Sequence, residues 1–112
     1  MSQLTTHILD TSKGKPAVGV LVNLFQQENN SWKEIASGIT NADGRIADLI
    51  KKDIVLTAGT YKLNFETKAY FDKQNIETFY PFVEIVFAII DNEHYHVPLI
   101  LNPFGYSTYR GS

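Results

Sequence analysis

Apolar residues recur along this chain in short segments that are separated by residues favouring turns. The segments are rich in Val, Ile, Leu, Tyr and Phe. Short apolar segments with regular turn signals between them are typical of an all-β sandwich. The pattern predicts seven or eight strands, of which seven can be placed, over residues 4–9, 19–27, 32–38, 59–66, 82–89, 95–101 and 106–110.

The segments between the strands are TSKGKP, QENN, NADG, DNE and NPFG, and each contains the Gly, Asn, Asp or Pro that tight turns require. Hairpin connections are therefore expected. One short helix is predicted over residues 68–74, with Thr67 as its N-cap and Pro81 preventing its continuation. No repeat, low-complexity tract or linker divides the chain. We expect one domain, residues 1–112, folded as a two-sheet antiparallel β-sandwich with one short helix.

One histidine interrupts the apolar pattern of the first predicted strand. Because strand side chains alternate between the two faces of a sheet, His7 points away from the face that Leu4 and Ile8 would bury. Taken alone, this position predicts a half-exposed histidine on a sheet surface.

The predicted strand over residues 95–101 has one apolar face and one mixed face. A mixed face suits a subunit interface or a lined cavity better than bulk solvent. Pro98 conflicts with the strand assignment, because proline donates no ladder hydrogen bond and prefers edges or bulges. The apolar face holds Tyr95, Val97, Leu99 and Leu101, and the mixed face holds His94, His96, Pro98 and Ile100.

Arg45 follows NADG, a tight-turn signal, and in isolation it would be a solvated arginine beside a hairpin. His94 and His96 lie two residues apart on one face, and with His7 they could hold a metal. No carboxylate stands beside them in a ligand pattern, and His94 adjoins the turn DNE. We therefore predict no metal site.

Composition narrows the classes of function. The chain has a formal net charge of −2, which provides no broad positive field for nucleic-acid phosphates. It has no cysteine, so disulfides, thiolate nucleophiles and zinc knuckles are excluded. The N-terminal residues lack the basic start and long apolar stretch of a secretory signal, and the last three residues are not a peroxisomal signal. We expect a cytoplasmic protein with no nucleic-acid or membrane partner.

Three segments in order, LTTHILDTSKGKPA, ASGITNADGR and YHVPLILNPFGYSTYRGS, resemble the transthyretin family across nearly the whole chain. The resemblance is closer to its enzyme branch, the 5-hydroxyisourate hydrolases, which finish on a tyrosine, arginine, glycine, serine tetrapeptide. Residues 109–112 reproduce that tetrapeptide. His7 in the first strand, Arg45 after Asp-Gly and His96 before Val-Pro match as well. Residues 26–32 and 72–79 carry no part of the resemblance.

The resemblance implies a homotetramer with a central channel lined by the first strand and the last two strands. Its active sites would lie in that channel, at the dimer–dimer interface. The implied reaction is hydrolysis of 5-hydroxyisourate to 2-oxo-4-hydroxy-4-carboxy-5-ureidoimidazoline in urate (purine) degradation, without a metal or organic cofactor. The implied catalytic residues are His7, Arg45, His96 and Ser112, and the implied substrate-binding residues are His7, Arg45, Tyr109, Gly111 and Ser112.

The three residues of this set outside the tail suit the hydrolysis of an acyl–nitrogen bond. A neutral imidazole has an ordinary pKa near 6.5, so His7, assisted by His96, can act as a general base and position the water. The guanidinium of Arg45 can hold a carbonyl oxygen or a developing oxyanion at two points without losing its charge.

The last four residues would complete the pocket. Tyr109 can hold the plane of the substrate ring, Gly111 allows a close approach of the backbone, and Ser112 offers a hydroxyl. Arg110 alternates to the opposite face from Tyr109, so we expect it to anchor the tail or to meet another chain.

Three other interpretations stay open at this stage. Ser112 could be a covalent nucleophile, although no third group orients a Ser–His pair. The chain could be a non-catalytic carrier of a small aromatic ligand, although a carrier needs no cluster of ionisable groups. It could also be a structural or adhesion sandwich whose polar face is an interaction surface.

Overall fold

The structure is a computed structural model that describes residues 2–112. Within these residues no helix is long and apolar enough to cross a membrane. The described residues form eight strands and one helix: β1 (Leu4–Asp10), β2 (Lys15–Pro16), β3 (Leu21–Glu28), β4 (Ser31–Ile39), β5 (Gly59–Phe65), α1 (Thr67–Asp72), β6 (Val83–Ile89), β7 (Tyr95–Asn102) and β8 (Gly105–Thr108).

The strands form two four-stranded sheets that enclose a single apolar core. One sheet has the order β2-β1-β7-β8, and the other has the order β4-β3-β5-β6. Both sheets contribute side chains with no solvent exposure to this core, including Leu4 and Ile8 from β1, Leu24 from β3, Leu63 from β5 and Leu99 from β7. The prediction of an all-β, two-sheet sandwich with one short helix is confirmed.

The pairing of β1 with β7 is parallel, so the first sheet is mixed rather than wholly antiparallel. The antiparallel prediction assumed hairpin connections, which constrain only strands that are neighbours in sequence. All four strands of the second sheet lie between β1 and β7 in the chain. No hairpin therefore fixes the direction of β7 relative to β1. The backbone amide of Tyr95 donates to the carbonyl of Gln3 over 2.7 Å at the start of this pairing.

The helix starts one residue earlier than predicted, and Thr67 is not its N-cap. Glu66 occupies the N-cap position without a side-chain hydrogen bond, and Thr67 is the first helical residue. The Thr67 side chain packs into the core instead of turning back to the first amides, and its hydroxyl has no hydrogen-bond partner among residues 2–112. Asn75, with a φ of 57°, turns the chain just after the helix.

Pro98 explains why the last strand is shorter than predicted. The ladder between β7 and β8 runs regularly up to the pair Leu99–Thr108, and the next residue of β7 is Pro98, which has no amide to donate. The same register resumes further on, where Gly111 forms an isolated bridge with His96. A proline in a central strand is thus accommodated by a two-residue gap in one ladder, and the Thr108 hydroxyl donates to the Pro98 carbonyl across it.

A buried carboxylate ties α1 to the first sheet. Asp10 is fully buried and accepts hydrogen bonds from the Tyr70 hydroxyl over 2.6 Å and from the Ser12 amide over 3.0 Å. Burial, together with the bond to Asp10, raises the pKa of Tyr70 to about 12, so this hydroxyl remains a donor throughout the physiological range. The helix is short, and this bond fixes it against the end of β1.

Removing the Tyr70 hydroxyl should destabilise the fold measurably. We expect Tyr70→Phe to lower the free energy of unfolding by about 1.5–3 kcal/mol, because it leaves a buried carboxylate short of a donor. Tyr106→Phe is the matched control, since Tyr106 is 42% exposed and its hydroxyl has no partner within residues 2–112. Urea denaturation followed by circular dichroism, at one protein concentration, measures both. Equal midpoints for the two variants would contradict this role of Asp10.

Candidate active site

A cleft of about 380 Å³ opens on the face of the first sheet that points away from the core. We call it the His96 cleft. It collects residues from both ends of the chain and from the turn before Arg45. Its lining residues are Thr5, Thr6, Asn41, Arg45, Ile46, Ala47, His94, His96 and Ser112.

The parallel register of β1 and β7 brings the imidazoles of His94 and His96 beside β1. Thr5 lies opposite His96, and the Thr5 hydroxyl is 2.8 Å from Nδ1 of His96 and 3.0 Å from Nε2 of His94. Strand alternation also puts His7 on the side of β1 that carries Thr5. Thr5, His7 and His96 are each half-buried, as the alternation predicted for His7 and His96.

Arg45 reaches the cleft because the NADG turn is fastened to β1. The Ile8 amide donates to the Gly44 carbonyl over 2.9 Å, and Arg45 forms an isolated backbone bridge with His7. Gly44 has a φ of 72°, and a Cβ atom there would lie 2.6 Å from the carbonyl oxygen of Ile8, so only glycine fits. The Asn41 side chain accepts the Arg45 amide and closes the turn.

Both histidines beside Arg45 are held in the neutral form. Burial lowers the pKa of His7 below its ordinary 6.5, and the charge of Arg45 lowers it further, while contacts with Asp43 act in the opposite direction. Burial also lowers the pKa of His96, and Arg45, His94 and His7 contribute in the same sense. A neutral imidazole near pH 7 has a free lone pair, which a general base requires.

The tail residues are held in place by contacts with β7. The Gly111 amide donates to the His96 carbonyl over 2.8 Å, and a Cβ atom at Gly111 would lie only 2.5 Å from Cδ2 of His96. The Arg110 guanidinium lies 4.2 Å from the centre of the Tyr95 ring and donates to the His94 carbonyl over 3.3 Å. Arg110 therefore anchors the tail, the first of the two roles expected for it, and contact with another chain stays a prediction. Ser112 is thereby delivered to the cleft.

Tyr109 lies elsewhere within the single chain. Its side chain is 61% exposed and lines an apolar groove of about 410 Å³ beside β6, together with Val86, Phe87 and Arg110. Of the six predicted site residues, the structure therefore brings Arg45, His96 and Ser112 into one cleft. His7 and Gly111 adjoin it, and Tyr109 does not reach it. The substrate-binding role predicted for Tyr109 stays a prediction.

Sequence reasoning overlooked Thr5 and Asn41 and considered His94 only as a metal ligand. The alternation that places His7 also places Thr5 beside it, so Thr5 carried a detectable signal. Asn41 carried none beyond its place in a turn. Within the described residues, no group of three or more His, Cys, Asp or Glu side chains is arranged to hold a metal ion.

The electrostatics of the His96 cleft favour a reaction in which negative charge develops. The two ion pairs among residues 2–112 involve Lys62 and Lys68, so the Arg45 guanidinium is not neutralised by a carboxylate there. A neutral imidazole at this cleft can take a proton from water. The cation can stabilise the oxyanion that forms when the oxygen of that water adds to a carbonyl carbon.

Comparison with known proteins places this arrangement in a family. Residues 4–111 match the HIUase/Transthyretin family. A probable 5-hydroxyisourate hydrolase of Caenorhabditis elegans is 47% identical, over 99% of this chain and 82% of the relative. The 5-hydroxyisourate hydrolase of Mus musculus is 45% identical, over 99% of this chain and 96% of the relative.

Solved structures of both kinds of family member superpose on the chain. The 5-hydroxyisourate hydrolase of Klebsiella pneumoniae has a TM-score of 0.87 and 42% identity, covering 99% of this chain and 100% of that one. Sea bream transthyretin in complex with thyroxine has a TM-score of 0.91 and 37% identity, covering 97% of this chain and 94% of that one. The chain belongs to the HIUase/Transthyretin family.

Proposed function

We propose that this protein hydrolyses 5-hydroxyisourate, opening its six-membered ring in the breakdown of urate. One observation carries the proposal: His96, Arg45 and Ser112 line one cleft beside His7, in a chain 42–47% identical to proteins named 5-hydroxyisourate hydrolase. The fold alone supports a second function, a carrier of small aromatic ligands, because a transthyretin structure superposes equally well. The neutral imidazoles beside a guanidinium that has no ion pair among residues 2–112 favour the hydrolase, since a carrier has no use for a general base.

The proposed mechanism uses water as the nucleophile. His7 and His96 position the water and remove its proton, and the pKa values of both are lowered, so both rings are available near neutral pH. The oxygen of the water adds to a ring carbonyl carbon, and the charge that develops on the carbonyl oxygen is stabilised by Arg45. The C–N bond then breaks, and the nitrogen receives a proton from an imidazole. Ser112 offers a hydroxyl that holds the substrate in the cleft.

The direct test is to mix the purified protein with freshly generated 5-hydroxyisourate and to follow its ultraviolet decay. We expect a decay rate that rises in proportion to protein concentration. Arg45→Gln should lower kcat by about 10²–10³-fold, because it removes a donor fork from the developing oxyanion. Arg45→Lys should restore only part of the loss, because a lysine keeps the charge but not the planar fork.

Lys33→Gln is the control for a lost positive charge, because Lys33 is exposed on β4 of the other sheet. We expect this variant to retain the activity of the unmodified chain. If 5-hydroxyisourate decayed at its spontaneous rate in the presence of the unmodified protein, the hydrolase function would be ruled out and the carrier function would remain. Full activity of Arg45→Gln would remove Arg45 from the mechanism.

The protonation of the two histidines gives a prediction about pH. A lowered pKa means that the unfolded chain binds more protons than the folded chain as the pH falls through 6.5, so the neutral rings persist into mild acid. We expect NMR titration to give midpoints below 6.5 for His7 and His96. In Arg45→Gln both midpoints should rise, because the nearby cation is gone. Midpoints at or above 6.5 in the unmodified protein would contradict the account.

We further propose that the protein assembles as a homotetramer, with the cleft-bearing face at the interface between dimers. The support for pairing between chains lies in two edge strands, β6 and β8, that leave apolar side chains open to solvent, and the placement of the cleft-bearing face follows the family resemblance. On β6, Val86 is 58% exposed, and the residues just after the two strands, Ile90 and Tyr109, are 73% and 61% exposed. Edges of this kind invite pairing with another copy, which would cover them.

Light scattering on the purified protein tests the assembly. We expect a mass about four times the 12.7 kDa of one chain at micromolar concentration. Val86→Glu should shift the protein towards smaller species, because a carboxylate would be buried at the paired edge. Lys33→Gln should leave the mass unchanged. A monomer mass for the unmodified chain would overturn the proposed assembly.

A further inference from the structure

The Thr5 hydroxyl lies between two imidazoles, at hydrogen-bond distance from both. Its oxygen is 2.8 Å from Nδ1 of His96 and 3.0 Å from Nε2 of His94. The two rings are nearly parallel, with an angle of 15° and 6.4 Å between their centres. A hydroxyl has one hydrogen, so it can donate to one of these nitrogens and must accept an N–H from the other.

Two arrangements of protons satisfy both hydrogen bonds when both rings are neutral. In the first, Thr5 accepts Nδ1–H of His96 and donates to Nε2 of His94, which leaves a lone pair on Nε2 of His96. In the second, Thr5 donates to Nδ1 of His96 and accepts Nε2–H of His94, so that Nε2 of His96 carries a hydrogen. The proton on His94 therefore decides whether His96 presents an acceptor or a donor.

The nitrogen that changes character is free to act on a substrate. Nε2 of His96 has no hydrogen-bond partner within residues 2–112, and His96 lines the cleft. Gly111 packs against Cδ2 of the same ring and holds it in place. The state of this one nitrogen thus determines whether the ring can remove a proton or return one.

We propose that Thr5 and His94 form a relay that sets the tautomer of His96 during the hydrolysis. Both are positioning residues, because they act through His96. The inference rests on the proposed function, and it assigns roles to two residues outside the expected catalytic set. A hydroxyl that merely joined two strands would need only one partner, as Thr108 does in donating to the Pro98 carbonyl.

The relay keeps protons balanced through one cycle. His96 starts with a lone pair on Nε2 and takes a proton there from water as the oxygen bonds to the carbonyl carbon. The Nδ1 proton of His96 then passes to Thr5, while Thr5 passes its own proton to Nε2 of His94. His96 is now neutral with a hydrogen on Nε2, and His94 carries the positive charge. As the C–N bond breaks, His96 gives its Nε2 proton to the substrate nitrogen while Thr5 returns a proton to Nδ1 of His96 and takes one back from Nε2 of His94, so that no imidazolate forms. This reversal restores the first arrangement.

The surroundings of His96 oppose a lasting positive charge on its ring. Burial and the charge of Arg45 both disfavour an imidazolium at His96. His94 lines both the His96 cleft and a second surface depression beside Asn92 and Val55, so its ring meets solvent on two sides. The Arg110 guanidinium donates a hydrogen bond to the His94 carbonyl, and this bond holds the backbone that carries the His94 ring.

Kinetics of five variants test the relay. Thr5→Val keeps the shape of the side chain and removes the hydroxyl, and we expect kcat to fall on the order of 10- to 100-fold with KM changed less than about threefold. Thr5→Ser should retain kcat within about threefold. His94→Phe should match Thr5→Val, and the double variant should be no slower than either single one, because both break the same relay. Thr108→Val is the control that loses a strand hydrogen bond without touching an imidazole, and it should keep kcat and its pH profile.

Ring ¹⁵N shifts read the tautomers without any substrate. At neutral pH we expect His94 and His96 to carry their proton on the same type of nitrogen, since both arrangements across Thr5 require it. Thr5→Val should change the ¹⁵N shifts of His96, and Thr5→Ser should restore them. Unlike tautomers on the two rings, or identical His96 shifts with and without the hydroxyl, would overturn the relay.

The proposed function and the proposed relay can be overturned separately. An unmodified protein that leaves the spontaneous decay unchanged would defeat the proposed function, and the ring shifts would still decide the relay. An active unmodified protein whose Thr5→Val and His94→Phe variants keep kcat and the pH profile would defeat the relay alone. Additive losses in the double variant would also count against a shared path.

Discussion

The parallel pairing of β1 with β7 is the constraint on which the candidate site depends. It sets Thr5 opposite His96 and puts the imidazole-bearing faces of two strands side by side, although Thr5 and His96 lie 91 residues apart in the chain. The NADG turn then fastens to the other side of β1 and brings Arg45 to His7. The tail fastens to the other side of β7 and brings Ser112. A slip of one residue in this pairing would turn Thr5 away from His96 and dismantle the cleft.

The chemistry of the cleft follows from its electrostatics more than from its shape. Burial and the charge of Arg45 act together to keep His7 and His96 neutral, and the same guanidinium is available for a developing oxyanion. In the proposed mechanism one cation therefore has two roles: it keeps the general base neutral, and it stabilises the oxyanion that forms when water adds to the carbonyl carbon. The family includes a thyroxine-bound transthyretin and 5-hydroxyisourate hydrolases, and both kinds of protein have the same β-sandwich. We infer that the side chains on this face of the first sheet account for the difference in function.

Much of the fold could be predicted from the sequence, because alternation and turn residues are local signals. Leu4 and Ile8 are buried and His7 is not, as the period of two required. The direction of β7 relative to β1 could not be predicted, since no hairpin joins them. The sequence predicted Thr67 as a helix N-cap, but its side chain is buried and does not cap the helix. Pro98 conflicted with the strand prediction for a similar reason. The interruption of the β7–β8 ladder that accommodates it depends on the partner strand and not on the local sequence.

The site was less predictable than the fold. His7, Arg45 and His96 were identified through a family resemblance, and their proximity required the structure. Thr5 looked like an ordinary strand residue, because a hydroxyl gains its meaning from the two rings that flank it. Tyr109 was expected beside its tail neighbours, but it falls in the gap of the ladder opposite Pro98, and its ring lines the apolar groove.

The central claim is that these groups form one cleft that grips a planar heterocycle. A crystal structure of the protein with xanthine, a planar oxopurine without the bond to be cleaved, tests it most directly. The account predicts the ring in the His96 cleft, with its oxygens within about 3.2 Å of the Arg45 guanidinium and its plane against His96. A ligand bound only in the groove beside Tyr109, with the His96 cleft empty, would contradict it.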